Sequence, residues 1–174
     1  MIERLFKSDF ESIYEIMEQS FPKEEYRTKQ KQKELFNVKE YNVLGEKKDG
    51  KLLGFITVWD FEEFYYVEHF AIAKQNRNLG LGSKMLQEIK EIYTLNKPFI
   101  LEVEPPEDEL TKRRVAFYQR NGYKYNDYYY VQPSMAKGRR EIPLKILSSP
   151  NSITEEQFKM ARDTLYKKVY KIIK

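Results

Sequence analysis

The sequence predicts an α/β fold, with one mixed sheet and helices on both faces. Three observations carry that prediction. Strand-like alternation and helical spacing of apolar residues succeed each other in the order β, α, α, β, β, β, α, β, α, β, β, followed by a last helix. Asp49-Gly50 separates two strand-like runs, which is the signal of a tight antiparallel hairpin. A nearly continuous apolar run at 64–73 passes through a polar stretch with two glycines into an amphipathic helix, as a strand covered on both faces does when it feeds a helix.

Taken in order, residues 2–6 alternate and read as a short edge strand. Ser8-Asp9 offers an N-cap with Glu11 in the first turn, and Phe10, Ile13, Tyr14, Ile16, Met17 and Phe21 follow at helical spacing until Pro22. A second, more charged helix is expected over 23–36. Strands at 41–47 and 51–59 flank the hairpin turn, and an acidic turn at 60–63 leads to the strand at 64–73. The helix expected over 79–93 puts Leu81, Met85, Leu86, Ile89 and Ile92 on one stripe. Residues 99–103 read as a buried strand that Pro105-Pro106 stops. A helix over about 108–121 carries Val115, Phe117 and Tyr118, with Gly122 as its C-terminal cap. Strands at 123–132 and 141–147 follow. Residues 152–154 cap a final helix at 155–173 with Phe158, Ala161, Leu165, Val169 and Ile172 on one face. No internal repeat or low-complexity linker interrupts the chain, so 1–174 is expected to be a single domain with 150–174 a helical extension, available for packing or for a homodimer.

Composition bounds the function. The 174 residues, 41% hydrophobic and 33% charged, suit a globular domain with its own core. There is no cysteine, which excludes a disulfide framework, a thiol nucleophile and a thiolate metal site. With one histidine and scattered carboxylates, no metal constellation is legible. The first residues are charged where a secretory leader would be apolar, and no stretch has the length of a membrane span, so a cytoplasmic protein with no membrane partner is expected. The net charge of +4 is a small excess of 31 basic over 27 acidic residues, without the basic, aromatic-interleaved stripe of a nucleic-acid binder. The basic run at 29–33 reads as a solvated helix face, and nucleic-acid binding through Arg139-Arg140 is the weakest reading.

The chemistry concentrates at 65–92. A strand that turns through glycines into a helix presents free backbone N–H groups and the positive end of the helix dipole, which is a site for a phosphate. The letters do not form a Walker loop, since Gly82, Ser83 and Lys84 come in the wrong order. They do not form a dinucleotide fingerprint either, since Met85 stands where a third small residue is needed. They do fill Arg-x-x-Gly-x-Gly, with Arg77, Gly80 and Gly82.

In this pattern the chain resembles the GNAT superfamily of acyl-CoA-dependent N-acetyltransferases, over roughly residues 1–132. The resemblance implies a mostly antiparallel sheet and acetyl-CoA as co-substrate, with no metal. It also implies that Arg77, Asn78, Leu79, Gly80, Leu81, Gly82 and Ser83 bind the pyrophosphate, while the preceding strand, with Phe70 and Ile72, pairs with the pantetheine arm. A second signature, residues 116–123, resembles the late motif of the same family, whose tyrosine protonates the departing thiolate. Tyr118 holds that place. Thr111 and Lys112 stand where many relatives carry Asn, so side-chain contacts to the cofactor from there are not implied. The acceptor amine must also lose a proton, and Glu68 or Glu102, each on a strand beside the cofactor cleft of that family, is the candidate base, with a bound water as the alternative. A carboxylate on a buried strand must face a cleft, water or a partner. By strand alternation His69 points away from Glu68 and is expected to be a satisfied, semi-buried residue. The acidic turns, with Asp60, Glu62 and Glu63 in one and Glu104, Glu107, Asp108 and Glu109 in the other, would favour a cationic acceptor such as a small amine, a polyamine or a basic peptide. The expected function is acetyl transfer to an amine in a ternary complex; the alternative is a non-catalytic acyl-CoA-binding sensor or interaction protein of the same fold.

Overall fold

A computed structural model of the chain describes residues 1–93 and 96–171. The chain divides into two compact units, Met1–Lys97 and Pro98–Lys174.

In the first unit, β1 (Glu3–Arg4), β2 (Tyr41–Lys48), β3 (Lys51–Asp60) and β4 (Tyr65–Ile72) pair antiparallel in that order. Asp49 and Gly50 both take left-handed φ values, 50° and 74°, the turn whose twist matches a two-residue hairpin. Helix α1 (Phe10–Ser20) buries Phe10, Ile13, Tyr14, Ile16 and Met17 and packs on β3 and β4. It begins after a single 3-10 turn, Lys7–Asp9, whose Asp9 carboxylate accepts the Phe6 N–H at 2.9 Å. Helix α3 (Leu81–Ile92) lays Met85, Leu86 and Ile89 on β4.

Two expectations are corrected here. The helix foreseen over 23–36 is broken. A 3-10 turn, Lys23–Glu25, is followed by extended backbone at Tyr26, and only Lys29–Glu34 is α-helical (α2), running into a 3-10 turn at Leu35–Asn37. Tyr26 and Arg27 are buried, and burial of these two side chains outweighs the helical preference of a Lys- and Gln-rich stretch. The second correction concerns alternation on β4. Ile56 pairs with Phe70 and Val58 with Val67, so Thr57 alone stands opposite both Glu68 and His69. The extra residue makes a β-bulge, pinned by the His69 N–H donating to Thr57 Oγ1 at 2.9 Å. As a result Glu68 and His69 both reach the connection that follows α1 instead of pointing to opposite sides.

In the second unit, β5 (Phe99–Val103), β7 (Ile142–Ser149) and β6 (Lys124–Gln132) pair antiparallel in that spatial order. Helix α4 (Glu109–Arg120) starts at a capping box: Asp108 Oδ1 accepts the Thr111 N–H at 2.8 Å, and the Thr111 hydroxyl accepts the Asp108 N–H at 3.1 Å. The Asp108→Ala variant should unfold at a lower urea concentration than the parent, since the Thr111 N–H loses its acceptor. Gly122, at φ 85°, receives the helix end as expected. Helix α5 (Glu155–Thr164) has its own box, Thr154 with Gln157. Phe158 stacks on Tyr128 with ring centroids 4.6 Å apart, and Ala161 is buried, so the last helix is packed within its own unit. The single helix expected to reach 173 changes at Leu165 into a π turn, Leu165–Val169. Ile172 and Ile173 lie outside the described residues. Among the described residues no helix is long and apolar enough to cross a membrane.

Candidate active site

The strand–turn–helix of the first unit has the geometry of an anion cradle. β4 ends at Ile72, which sits against Gly54 of β3; a Cβ at Gly54 would come within 2.7 Å of the Ile72 side chain. A 3-10 turn, Lys74–Asn76, then carries the chain to Arg77. Arg77 folds back: its Nε donates to the Ile72 carbonyl at 2.9 Å and its Nη2 to Ser20 Oγ at 3.1 Å. Asn78 (φ 62°) and Gly80 (φ 75°) take left-handed backbone on either side of Leu79, whose side chain is 75% exposed. Gly80 is the N-cap of α3, and no side chain caps that end. The first turn holds no acidic residue, and Lys84 is drawn off to Glu46 at 2.6 and 2.8 Å. The first turn of α3 therefore supplies no carboxylate of its own to the positive end of the helix. A Cβ built at Gly80 finds nothing within 4 Å, so glycine is not required there by the protein's own packing. Open space, left-handed backbone and uncapped amides at Leu81, Gly82 and Ser83 suit a phosphate group. Phe70 and Ile72 are half-buried on the strand that leads into this turn.

Glu68 lies in a different setting from an open cleft. Its side chain is 2% exposed; Oε1 receives Arg27 Nη1 at 2.7 Å and Oε2 receives Trp59 Nε1 at 2.8 Å. Burial pushes its carboxyl up, but the Arg27 charge, with the two donors, overcomes this and holds it below the ordinary carboxylate range. Next to it His69, also 2% exposed, stands with Nε2 2.7 Å from the Glu25 carbonyl and its ring edge-on to Phe21. A carbonyl only accepts, so Nε2 carries the proton and Nδ1 is the bare nitrogen. Burial holds the imidazole below its ordinary pKa, and it is neutral. The bulge thus places two titratable side chains against the segment between Pro22 and Thr28.

In the second unit Tyr118 is half-buried near the end of α4, with its ring edge-on to Phe117 at 5.3 Å and to Tyr123 at 5.7 Å. Thr111, one of the positions left without an implied cofactor contact, spends its hydroxyl on the Asp108 cap. Glu102, half-buried on β5, accepts the Tyr130 hydroxyl at 2.7 Å and the Tyr170 hydroxyl at 2.9 Å to each oxygen. The acidic turns are partly neutralised: Asp60 pairs with Lys97, Glu104 with Arg114, and Asp108 caps α4.

Sequence reasoning missed Arg27, Trp59, Tyr130 and Tyr170, the partners of the two strand carboxylates. The demand that a buried carboxylate find a partner was legible, but which donor would meet it depends on contacts 9 to 68 residues away in the chain. Arg77 carries a structural duty, bracing the turn, that its place in the motif did not announce.

A family model described as "Acetyltransferase (GNAT) domain" matches residues 39–125. The Bacillus subtilis (strain 168) protein named "Putative acetyltransferase YjbC" is 31% identical over 162 residues, covering 90% of this chain and 80% of that protein. A solved structure described as "Putative acetyltransferase from GNAT family from Bacteroides thetaiotaomicron" superposes with a TM-score of 0.90 at 34% identity over 99% of each chain. The Salmonella typhimurium protein yncA, solved with acetyl-CoA as its cofactor, shares the fold at a TM-score of 0.64 and 16% identity, covering 88% of this chain and 95% of its own.

Proposed function

Because the chain belongs to the GNAT family of acetyltransferases, we propose that it is an acetyl-CoA-dependent N-acetyltransferase acting on a primary amine of a small molecule or peptide, by direct attack in a ternary complex. The observation that carries the reading is the first turn of α3: uncapped, free of carboxylates, and entered through a left-handed glycine with open space around it. The amides of Leu81, Gly82 and Ser83 would hold the diphosphate, with Arg77, Asn78, Leu79 and Gly80 shaping the turn and Phe70 and Ile72 flanking the pantetheine arm. Bound there, acetyl-CoA supplies an activated thioester carbonyl. That a protein of the same fold has acetyl-CoA as its cofactor agrees with this.

The chain's own groups then handle two protons. Tyr118 is proposed to give one to the leaving sulfur, a task suited to a phenol hydroxyl, which can donate as negative charge develops there. Either Glu68 or Glu102, directly or through a bound water, is proposed to receive the one lost by the amine. Arg27 keeps Glu68 ionised and weakly basic, which suits a relay through water. Glu102 is oriented by phenol hydroxyls. Residues 1–174 act as one cytoplasmic transferase domain with 150–174 as its extension.

The test is release of free thiol from acetyl-CoA across a panel of small amines, polyamines and basic peptides. Tyr118→Phe should lower kcat by about 100-fold while leaving coenzyme A affinity unchanged; unchanged turnover removes Tyr118 from the chemistry. The full occupation of both Glu68 oxygens favours one other reading, a non-catalytic acyl-CoA sensor. Tight binding of acetyl-CoA with no thiol released on any acceptor would select it.

A further inference from the structure

The last helix leaves α-helical spacing at Leu165 for a π turn, closed by the Tyr170 N–H on the Leu165 carbonyl at 3.0 Å. Such turns are rare and persist where surrounding contacts hold them. Here Leu165 and Val169 are buried, the Tyr166 hydroxyl donates to the Val131 carbonyl at 2.6 Å, and the Tyr170 hydroxyl sits 2.9 Å from both oxygens of Glu102. A carboxylate only accepts, so the phenols of Tyr170 and Tyr130 both donate to it. Donors from two separate elements, the last helix and β6, fix a carboxylate carried by a third, β5.

We propose that Tyr170 is a positioning residue for the transfer reaction: together with Tyr130 it sets the orientation in which Glu102 meets the acceptor's proton, so the C-terminal segment belongs to the catalytic apparatus. The proposal rests on the acetyltransferase reading and on Glu102 as a proton acceptor. Among the described residues, the groups that face Glu102 or act on its partners include Tyr130 of β6, Tyr166 and Tyr170 of the last helix, and, through Tyr166, Arg162 and Glu141. Phenols that donate to a carboxylate favour its ionised form, so removal of one moves protonation of that carboxylate to higher pH.

The experiment uses the full chain, with ¹³C-labelled glutamate side chains followed by NMR against pH and with thiol release from acetyl-CoA on the amine panel. Glu102→Gln identifies the Glu102 signal by its disappearance. In Tyr170→Phe the Glu102 midpoint should rise by about one pH unit. Turnover should fall about tenfold, the acid limb of the pH–rate profile should move with the midpoint, and KM for acetyl-CoA should stay in place. Tyr130→Phe should act in the same direction. Tyr166→Phe loosens the same turn without removing a Glu102 donor and should leave the acid limb where it is. An unmoved Glu102 midpoint in Tyr170→Phe overturns the proposal, as does an equal shift in Tyr166→Phe. A Glu102→Gln enzyme as active as the parent overturns it while leaving the transferase reading intact. No thiol release by the parent chain with acetyl-CoA bound would overturn that reading itself, and this proposal with it.

Discussion

Gly80→Val is expected to abolish coenzyme A binding in a protein that still folds. Gly80 sits at φ 75°, ψ −3°, a conformation a β-branched residue adopts only under strain, typically about 1–3 kcal/mol. The substituted backbone would relax toward negative φ and turn the following amides away from a common point. Because a Cβ at Gly80 meets nothing within 4 Å, the rest of the unit has no clash to absorb, and the damage falls on the ligand site. Calorimetric titration should show affinity for coenzyme A reduced by at least about 100-fold, the sum of lost amide contacts and strain. Gly80→Ala, lacking the branched Cβ, should lose about tenfold. Far-UV circular dichroism should be unchanged in both. Micromolar binding retained by a folded Gly80→Val protein would remove the diphosphate from this turn.

The second large effect belongs to the buried ion pair. Arg27→Ala leaves Glu68, 2% exposed, with its charge unanswered, and should cost about 3–5 kcal/mol in urea unfolding. Arg27→Met with Glu68→Leu together should cost much less, because the desolvation of two charges is then no longer needed. The same pair shapes the response to acid. The Glu68 carboxyl is held below its ordinary 4.5, so its contribution is complete above that pH and is lost as pH falls through the folded value. His69 is held below its ordinary 6.5 by burial, so its contribution is complete above 6.5 and is lost as pH falls toward its own depressed value. Stability should therefore decline in two steps on acidification, the upper one diminished in His69→Gln and the lower one, shared with other paired carboxylates, diminished in the Arg27→Met, Glu68→Leu protein. A single step common to all three would show that these side chains do not govern acid unfolding.

Local rules accounted for the features that local chemistry controls. The Asp49-Gly50 hairpin, the glycine entry to α3, the proline stop after β5, the Thr154 cap and the glycine after α4 each follow from which residues tolerate left-handed backbone, lack an N–H, or carry an oxygen next to a helix start. The Arg77–Gly82 turn was legible for the same reason, since a cradle made of main-chain amides is written in short spacing. Tyr118 could be assigned only by resemblance, because nothing in the periodicity of α4 distinguishes it from Phe117, the other half-buried aromatic there.

What the order of residues could not contain was the set of partners brought in from afar. The break in the helix foreseen over 23–36 is imposed by burial of Tyr26 and Arg27, and by the Glu68 carboxylate 41 residues further on that Arg27 must reach. The common direction of Glu68 and His69 is imposed by a bulge that exists only in the pairing of two strands. By itself the sequence determined the turns, the caps, the glycine entry to α3 and the family. Tertiary structure alone decided how each strand carboxylate is answered, because the desolvation of a charge is relieved by whichever donor folding delivers, whatever its distance along the chain.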